Sequence, residues 1–248
     1  MRNYYCYVII FMVAIIGSAS MLQAKADVTR HDPGQFIGEK NRPQKVAYLT
    51  FDDGPSKYTE ELLTILREKE APAIFFVTGE SIDNMANAKE LLKAMLDEQH
   101  HIALHSMTHD REQLYYRKNS SEIFVKEMLD LKQLIADMTN GYETNLCRAP
   151  YGKNGNFRDD HWRAVEEAGL YCVDWHIDSV DWAKKDAWQI YEEVTKAIKA
   201  KEFPDEVVIL FHEKKLTAQA LPQIIDFLKE QGYSFVPYIE GEKFNLPN

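Results

Sequence analysis

Basic residues are in short supply. Lys and Arg number 29 against 39 Asp and Glu, a formal net charge of −10 over 248 residues. That balance argues against nucleic acid or an anionic lipid surface as an electrostatic partner, and it is neutral toward an uncharged sugar. Cysteine is scarce too, with three residues, Cys6, Cys147 and Cys172. Cys6 has no lipobox-like neighbourhood, so no lipoprotein is read there. Cys147 and Cys172 fall in predicted strands. An exported chain invites a disulfide between them, but adjacent strand interiors suit disulfide geometry poorly, so buried free thiols are expected. No internal repeat and no low-complexity segment is present, and no linker interrupts 45–240. After the first residues, no apolar run is long enough to span a bilayer.

The first residues are different. Arg2 precedes an apolar run from Tyr7 to Ile16, followed by small residues and Ala24-Lys25-Ala26 before Asp27. This is the layout of a secretory signal at 1–26 with an A-x-A cleavage site. An uncleaved membrane anchor is the alternative. Cleavage makes the protein secreted or cell-wall associated; without it, the membrane becomes a partner. Residues 27–44 are polar and broken by Gly and Pro, and read as a linker. Residues 45–240 then form one domain, with a tail at 241–248. Nothing in the sequence calls for a stable protein partner.

Within the domain, apolar runs alternate with helical patterns. Strands are predicted at 46–51, 73–78, 101–104, 145–148, 171–175, 207–211 and 234–237. Helices are predicted at 57–69, 86–99, 120–139, 158–168, 187–200 and 217–231, from apolar residues at 3.6-residue spacing. The strands are continuous apolar runs, which points to a parallel α/β sheet covered on both faces.

In such folds chemistry gathers where strands end. After the first strand comes Thr50-Phe51-Asp52-Asp53-Gly54-Pro55-Ser56. Adjacent residues of a strand face opposite ways, so both carboxylates can serve one cavity only if the strand stops. Gly54-Pro55 stops it. After the third strand comes His105-Ser106-Met107-Thr108-His109, whose imidazoles would share one face of a helical turn. Asp plus two His is a three-ligand set with positions left for water and substrate. Arg148-Ala149-Pro150-Tyr151-Gly152 follows the fourth strand, where Arg148 can hold a carboxylate. Asp178-Ser179-Val180-Asp181-Trp182 follows the fifth, and Leu210-Phe211-His212-Glu213 closes the sixth. Taken singly, each has a bland explanation: a surface histidine, a salt bridge, a half-buried Trp.

In this order the five segments resemble the motifs of the polysaccharide deacetylase family, the NodB-homology domain of carbohydrate esterase family 4. TFDDGPS is the specific one; the other four gain weight from their order. The resemblance implies a distorted (β/α) barrel of about seven parallel strands and a divalent metal, zinc first and cobalt as the alternative. It also implies N-deacetylation of a β-linked amino-sugar polymer. By position it places the general base on Asp52 and the metal ligands on Asp53, His105 and His109. Arg148 would orient Asp52, the Tyr151 backbone N–H would hold the oxyanion, and His212 would be the acid, tuned by Asp181. Trp182 and Leu210 would wall the pocket. Two positions depart from the family: Ala149 where Pro is frequent, and Glu213 where Asp is common.

The expected substrate is peptidoglycan N-acetylglucosamine or a chitin-like oligosaccharide. Three rivals stay open: an O-deacetylase of acetylated xylan, a glycan-binding protein with a non-catalytic metal, and an amidohydrolase of small molecules. His100, His101 and His161 are read as structural, and so is His176, which could also approach the site.

Overall fold

The computed structural model describes residues 43–200 and 205–246. The expected signal at 1–26, all but the end of the linker at 27–44, and the last two residues of the tail lie outside them. The strands are β1 (Val46–Gly54), β2 (Ala73–Val77), β3 (His101–Leu104), β4 (Leu146–Cys147), β5 (Tyr171–Cys172), β6 (Ile177–Asp178) and β7 (Glu206–His212). They form one sheet in the order β5-β4-β3-β2-β1-β7-β6, and every pairing is parallel. The helices are α1 (Thr59–Glu68), α2 (Gly79–Asn84), α3 (Ala88–Asp97), α4 (Ser120–Met138), α5 (Asp159–Glu167), α6 (Ala187–Ala200) and α7 (Lys215–Glu230).

Chain connectivity forces this sheet to curl. β5 and β6 are its two edges, yet only Val173–His176 separate them in sequence. A flat sheet of seven strands would hold its edges about 29 Å apart, at about 4.8 Å per step. Five residue steps reach at most about 17 Å. The edges must therefore approach each other, and a distorted (β/α) barrel results.

Side-chain parity then sorts the strand residues into two cores. Ala47, Leu49 and Phe51 of β1 face the helices, together with Phe75, Val77, Ile209 and Phe211. Phe51 lies between Phe75 and Phe211, with ring centroids 5.2 and 5.6 Å away. Truncating such a ring costs about 3–5 kcal/mol. Val46 and Tyr48 face the barrel interior, with Ile74, Phe76, Ala103, Leu146, Val173 and Val208. Following the same parity toward the carboxyl ends gives Thr50, Asp52, His105, Arg148, Leu210 and His212. The interior is thus apolar at one end and charged at the other.

Two expected strands come out differently. Residues 234–237 make only an isolated bridge, Val46 to Ser234. Val236, Tyr238 and Phe244 turn inward instead and close the amino end of the barrel. The predicted strand at 171–175 stops at Cys172, because Val173–His176 must cross to the opposite edge, and β6 takes the remaining place. Cys147 and Cys172 face each other across β4 and β5 and are both free and buried.

Candidate active site

Asp52 ends the inward row of β1, directly opposite His212 on β7. The next residue breaks the ladder. β1 pairs Asp52 with Phe76 and then Gly54 with Val77, leaving Asp53 as the extra residue of a bulge. Asp53 sits at φ 69°, in the left-handed region. The bulge and this backbone turn bring its carboxylate back toward the cavity that Asp52 faces. A Cβ on Gly54 would run into the buried carboxylate of Glu213 and force it to move. Glu213 itself is buried and accepts from the Ser56 N–H (2.9 Å) and from the Thr59 hydroxyl, tying the loop down. Burial pushes its carboxyl up to about 7.

Asp53, His105 and His109 converge. Asp53 Oδ1 lies 3.6 Å from His105 Nε2 and 3.3 Å from His109 Nε2. The histidines are not on a helical turn, as their spacing predicts. Ser106 (φ 69°) and His109 (φ 54°) are both left-handed, and a tight loop brings the rings to a centroid distance of 5.1 Å. Glu127 of α4 holds that loop, accepting from the N–H groups of Met107 (3.1 Å) and Thr108 (3.0 Å).

Hydrogen bonding fixes which ring nitrogens face inward. His105 Nδ1 lies 2.9 Å from the Arg148 carbonyl, which can only accept, so Nδ1 carries the proton. The Tyr151 hydroxyl donates to the His109 carbonyl (3.1 Å), leaving its oxygen to accept from His109 Nδ1 (3.1 Å). Both Nε2 atoms therefore present lone pairs to Asp53 Oδ1, a buried oxygen with no hydrogen-bond partner. Three acceptors facing one another need a cation between them. Tetrahedral zinc with bonds of about 2.0–2.1 Å spaces its ligand atoms by about 3.3 Å; Asp53 Oδ1 stands 3.3 and 3.6 Å from the two nitrogens, and all three atoms lie within 4.8 Å of one another. The residues fit the metal.

Asp52 is held by a buried arginine. Arg148 is 0% exposed, and its Nη1 donates to Asp52 Oδ1 and to Thr50 Oγ1, both at 2.8 Å. Its Nη2 donates to the Asp174 carbonyl (3.1 Å), and Cζ sits 4.0 Å from the Phe76 ring centroid. Removing one partner of such a pair costs about 3–5 kcal/mol. Burial raises the Asp52 carboxyl above the ordinary carboxylate value, and Arg148 and then His212 pull against that rise. The other oxygen, Oδ2, lies 3.6 Å from His105 Nε2, beside the triad.

His212 completes the ring of side chains. Asp181 Oδ1 accepts from His212 Nδ1 (2.7 Å), while Oδ2 accepts from the His212 backbone N–H (2.7 Å) and the Thr217 hydroxyl (2.6 Å). Burial works to lower the imidazole, but the hydrogen bond and charge of Asp181, joined by Asp52 and Asp53, leave it raised overall. His212 Nε2 points into the cavity, 4.0 Å from Asp53 Oδ2. Leu210 is inward and buried, and Tyr151 (φ 64°) is 51% exposed. The Tyr151 backbone N–H makes no hydrogen bond among the described residues. Trp182 is 60% exposed and stacks on no other ring among them.

The structure also engages residues to which the motif reading assigns no role. Thr50 and Thr217 position Arg148 and Asp181, and Glu127 positions the histidine loop. Inward parity at a strand end singles out Thr50; nothing local singles out the other two. His176 is structural: Nδ1 accepts from the Val208 N–H (3.0 Å) and Nε2 meets the Asn245 carbonyl (3.0 Å). His161 is fully buried, stacked on Phe157.

The family model for polysaccharide deacetylase matches residues 39–173. This chain belongs to the polysaccharide deacetylase family. It is 38% identical over 232 residues to a peptidoglycan-N-acetylglucosamine deacetylase of Bacillus cereus, covering 90% of this chain and 78% of the relative. It is 31% identical over 205 residues to a chitooligosaccharide deacetylase of Bradyrhizobium, covering 77% and 87%. A crystal structure of a polysaccharide deacetylase from Bacillus cereus superposes with a TM-score of 0.73 at 36% identity, over 82% of this chain and 96% of that one. The deacetylase family's barrel and the curled sheet described above are the same fold.

Proposed function

We propose that this chain is a metal-dependent hydrolase that removes N-acetyl groups from a β-linked amino-sugar polymer, with peptidoglycan N-acetylglucosamine as the first substrate to test. One observation carries the reading. A three-acceptor cation site faces a carboxylate held by Arg148 on one side and an imidazole held by Asp181 on the other. Relatives named for peptidoglycan and chitooligosaccharide deacetylation support the substrate class. Binding alone would need neither the base nor the acid, which argues against a glycan-binding protein.

An acetamide is a poor electrophile. Asp53, His105 and His109 would hold a divalent ion, zinc by preference, which would polarise the acetamide carbonyl and an attacking water. Asp52 takes the proton from that water through Oδ2. Its raised pKa makes it a stronger base than a surface carboxylate, while Arg148 keeps it ionised and aimed. The open Tyr151 N–H donates to the oxygen that gains charge. His212 gives a proton to the leaving amine, and Asp181 keeps the imidazole charged for that step. Leu210 and the exposed Trp182 flank the path of the sugar. In this reading residues 45–240 carry the catalytic domain, 27–44 connect it to an export signal at 1–26, and 241–248 form the tail. The enzyme then works outside the cytoplasm, at the cell wall.

Acetate release from acetylated chitooligosaccharides and from peptidoglycan, with zinc and after chelation, tests this directly. Release from neither would sink the reading, and release only from acetylated xylan would convert it to O-deacetylation. The Asp52→Asn variant should keep its metal and lose about 10²–10⁴-fold in kcat. Unchanged turnover in that variant would remove Asp52 from the base role.

A further inference from the structure

We propose that Arg111, close to the rings of both Tyr116 and Tyr151, forms a second sugar subsite beside the metal triad that recognises a carboxylate on the glycan. The inference rests on the deacetylase reading and extends it from the acetamide to the neighbouring sugar.

A continuous row of side chains leads away from the triad. The His109 ring lies 4.6 Å from the Tyr151 ring, between centroids. Arg111 Cζ lies 5.3 Å from the Tyr151 centroid and 5.8 Å from that of Tyr116. Tyr151 and Tyr116 are 51% and 59% exposed, a large open aromatic surface beside a buried polar centre. Such faces suit the C–H faces of a sugar ring. Tyr116 ends a π-helical turn, Glu112–Tyr116, and widened turns of this kind concentrate at functional sites.

Arg111 is held in place but not neutralised. Its Nη2 donates to Asn156 Oδ1 (3.2 Å), and Asn156, 5% exposed, is fixed by donating to the Gly152 carbonyl (2.7 Å). Among the described residues Arg111 pairs with no carboxylate; its one hydrogen bond goes to the Asn156 amide. Its neighbour Asp110 is engaged elsewhere, accepting from the N–H groups of Glu112 (2.8 Å) and Gln113 (3.2 Å) and from Gln113 Nε2 (3.0 Å). A guanidinium has five N–H donors in one plane, and its faces can stack while its edge donates. Here two rings lie within 6 Å of the guanidinium carbon, one donor is used, and the side chain is otherwise exposed. An exposed arginine with no carboxylate partner, in a chain of net charge −10, is suited to a bidentate carboxylate. The ligand is therefore a glycan in which the unit next to the acetamide-bearing sugar carries a carboxylate, such as a lactyl ether. A neutral chitin chain lacks that group.

The test is a binding ratio that turnover cannot disturb. A β-linked disaccharide in which one unit keeps its acetyl and bears a lactyl-ether carboxylate while the other has had its acetyl removed beforehand, and the methyl ester of the same compound, are titrated calorimetrically onto the zinc-loaded full chain. Wild type should bind the acid about tenfold more tightly than the ester, as one charge-assisted contact implies. Arg111→Gln should bring that ratio to about one, and Arg111→Lys, with its charge but no fork, to an intermediate value. A wild-type ratio near one would overturn the subsite, as would an unchanged ratio in Arg111→Gln. Should Arg111→Gln fail to fold, the ratio in Arg111→Lys decides, and no loss there counts against the fork. Absence of acetate release from any acetylated glycan is a separate result. It would remove the hydrolase reading and leave the ratio interpretable.

Discussion

His101 and His105 share one face of β3 and its extension, yet the two ends of the barrel treat them in opposite ways. At the amino end, His101 has its ring nitrogens engaged by Thr144 (3.1 Å), Tyr142 (3.0 Å) and Glu240 (3.2 Å). Tyr48, Tyr238 and Phe244 pack nearby and fill the interior. At the carboxyl end, His105 has one nitrogen fixed by a backbone carbonyl and the other aimed at two carboxylates. One residue type, buried in both places, is a satisfied core group in one and one of three candidate metal ligands in the other. Which it becomes is decided by how many acceptors converge on it, because an acceptor can be answered only by a donor or a cation.

The largest test of this contrast exchanges the two losses. His105→Ala should abolish zinc binding and lower kcat/KM by more than about a thousandfold. His101→Ala should keep one zinc per chain and most of the activity, and lower stability by roughly 1–3 kcal/mol through the polar groups it strands. Metal analysis and thermal melts of both variants decide it. Metal loss in His101→Ala would mean that the two ends are not separable.

Much of this contrast can be read from the residues in order. The long runs of β1, β2 and β7 and the periodic helices α1, α3, α4, α6 and α7 carry their own signal, since each buries a full apolar face. So do the five polar clusters, which fall at strand ends. What cannot be read locally is whatever depends on closure. β4 and β5 fall inside the strands predicted at 145–148 and 171–175 but keep only two residues each, and β6, also two residues, carries no pattern of its own and exists because the edge of β7 needs a partner. Residues 234–237 read as a short apolar strand but lead into a plug, because the amino end of the barrel has to be filled. Asp53 owes its direction to a bulge and a left-handed backbone, and no composition signal encodes either beyond the adjacent Gly54. Thr217 and Glu127 act on groups far away in sequence, so their spacing to the motifs says nothing.

A second test uses the charge state of buried imidazoles. His100, at the amino end of β3, accepts from the Ala73 N–H (3.0 Å) through Nδ1, and its Nε2 is buried without a partner. Burial lowers its pKa to about 4. The folded state therefore binds this proton less readily than the unfolded chain, so its contribution is present above the ordinary histidine value and falls away as pH drops toward 4. His212, whose pKa is raised, has the opposite sign: its contribution is present at low pH and disappears as pH rises through the folded value. Urea unfolding at about pH 7 and about pH 5 should show that His100→Asn, which keeps an acceptor for Ala73, loses about 2 kcal/mol less than wild type between them. Equal losses would mean that His100 is not a source of acid sensitivity.

The smallest test sharpens the contrast at a single hydroxyl. His109 lies at the open rim of the triad, with its side chain 25% exposed against 3% for His105. No backbone carbonyl fixes its Nδ1; the Tyr151 hydroxyl does so, and in turn donates to the His109 carbonyl. Tyr151→Phe removes that partner and keeps the ring that packs on His109 and beside Arg111. The imidazole is then free to rotate or to place its proton on Nε2, and either change opposes metal binding. Partners of metal-bound histidines are typically worth about 10–100-fold in affinity, and an exposed one belongs at the lower end. Zinc affinity, read by competition with a chelating indicator, should fall about tenfold in Tyr151→Phe with the melting temperature of the metal-free protein unchanged. An unaltered zinc affinity would show that the loop carrying Ser106 and His109 orients the second imidazole by its backbone alone.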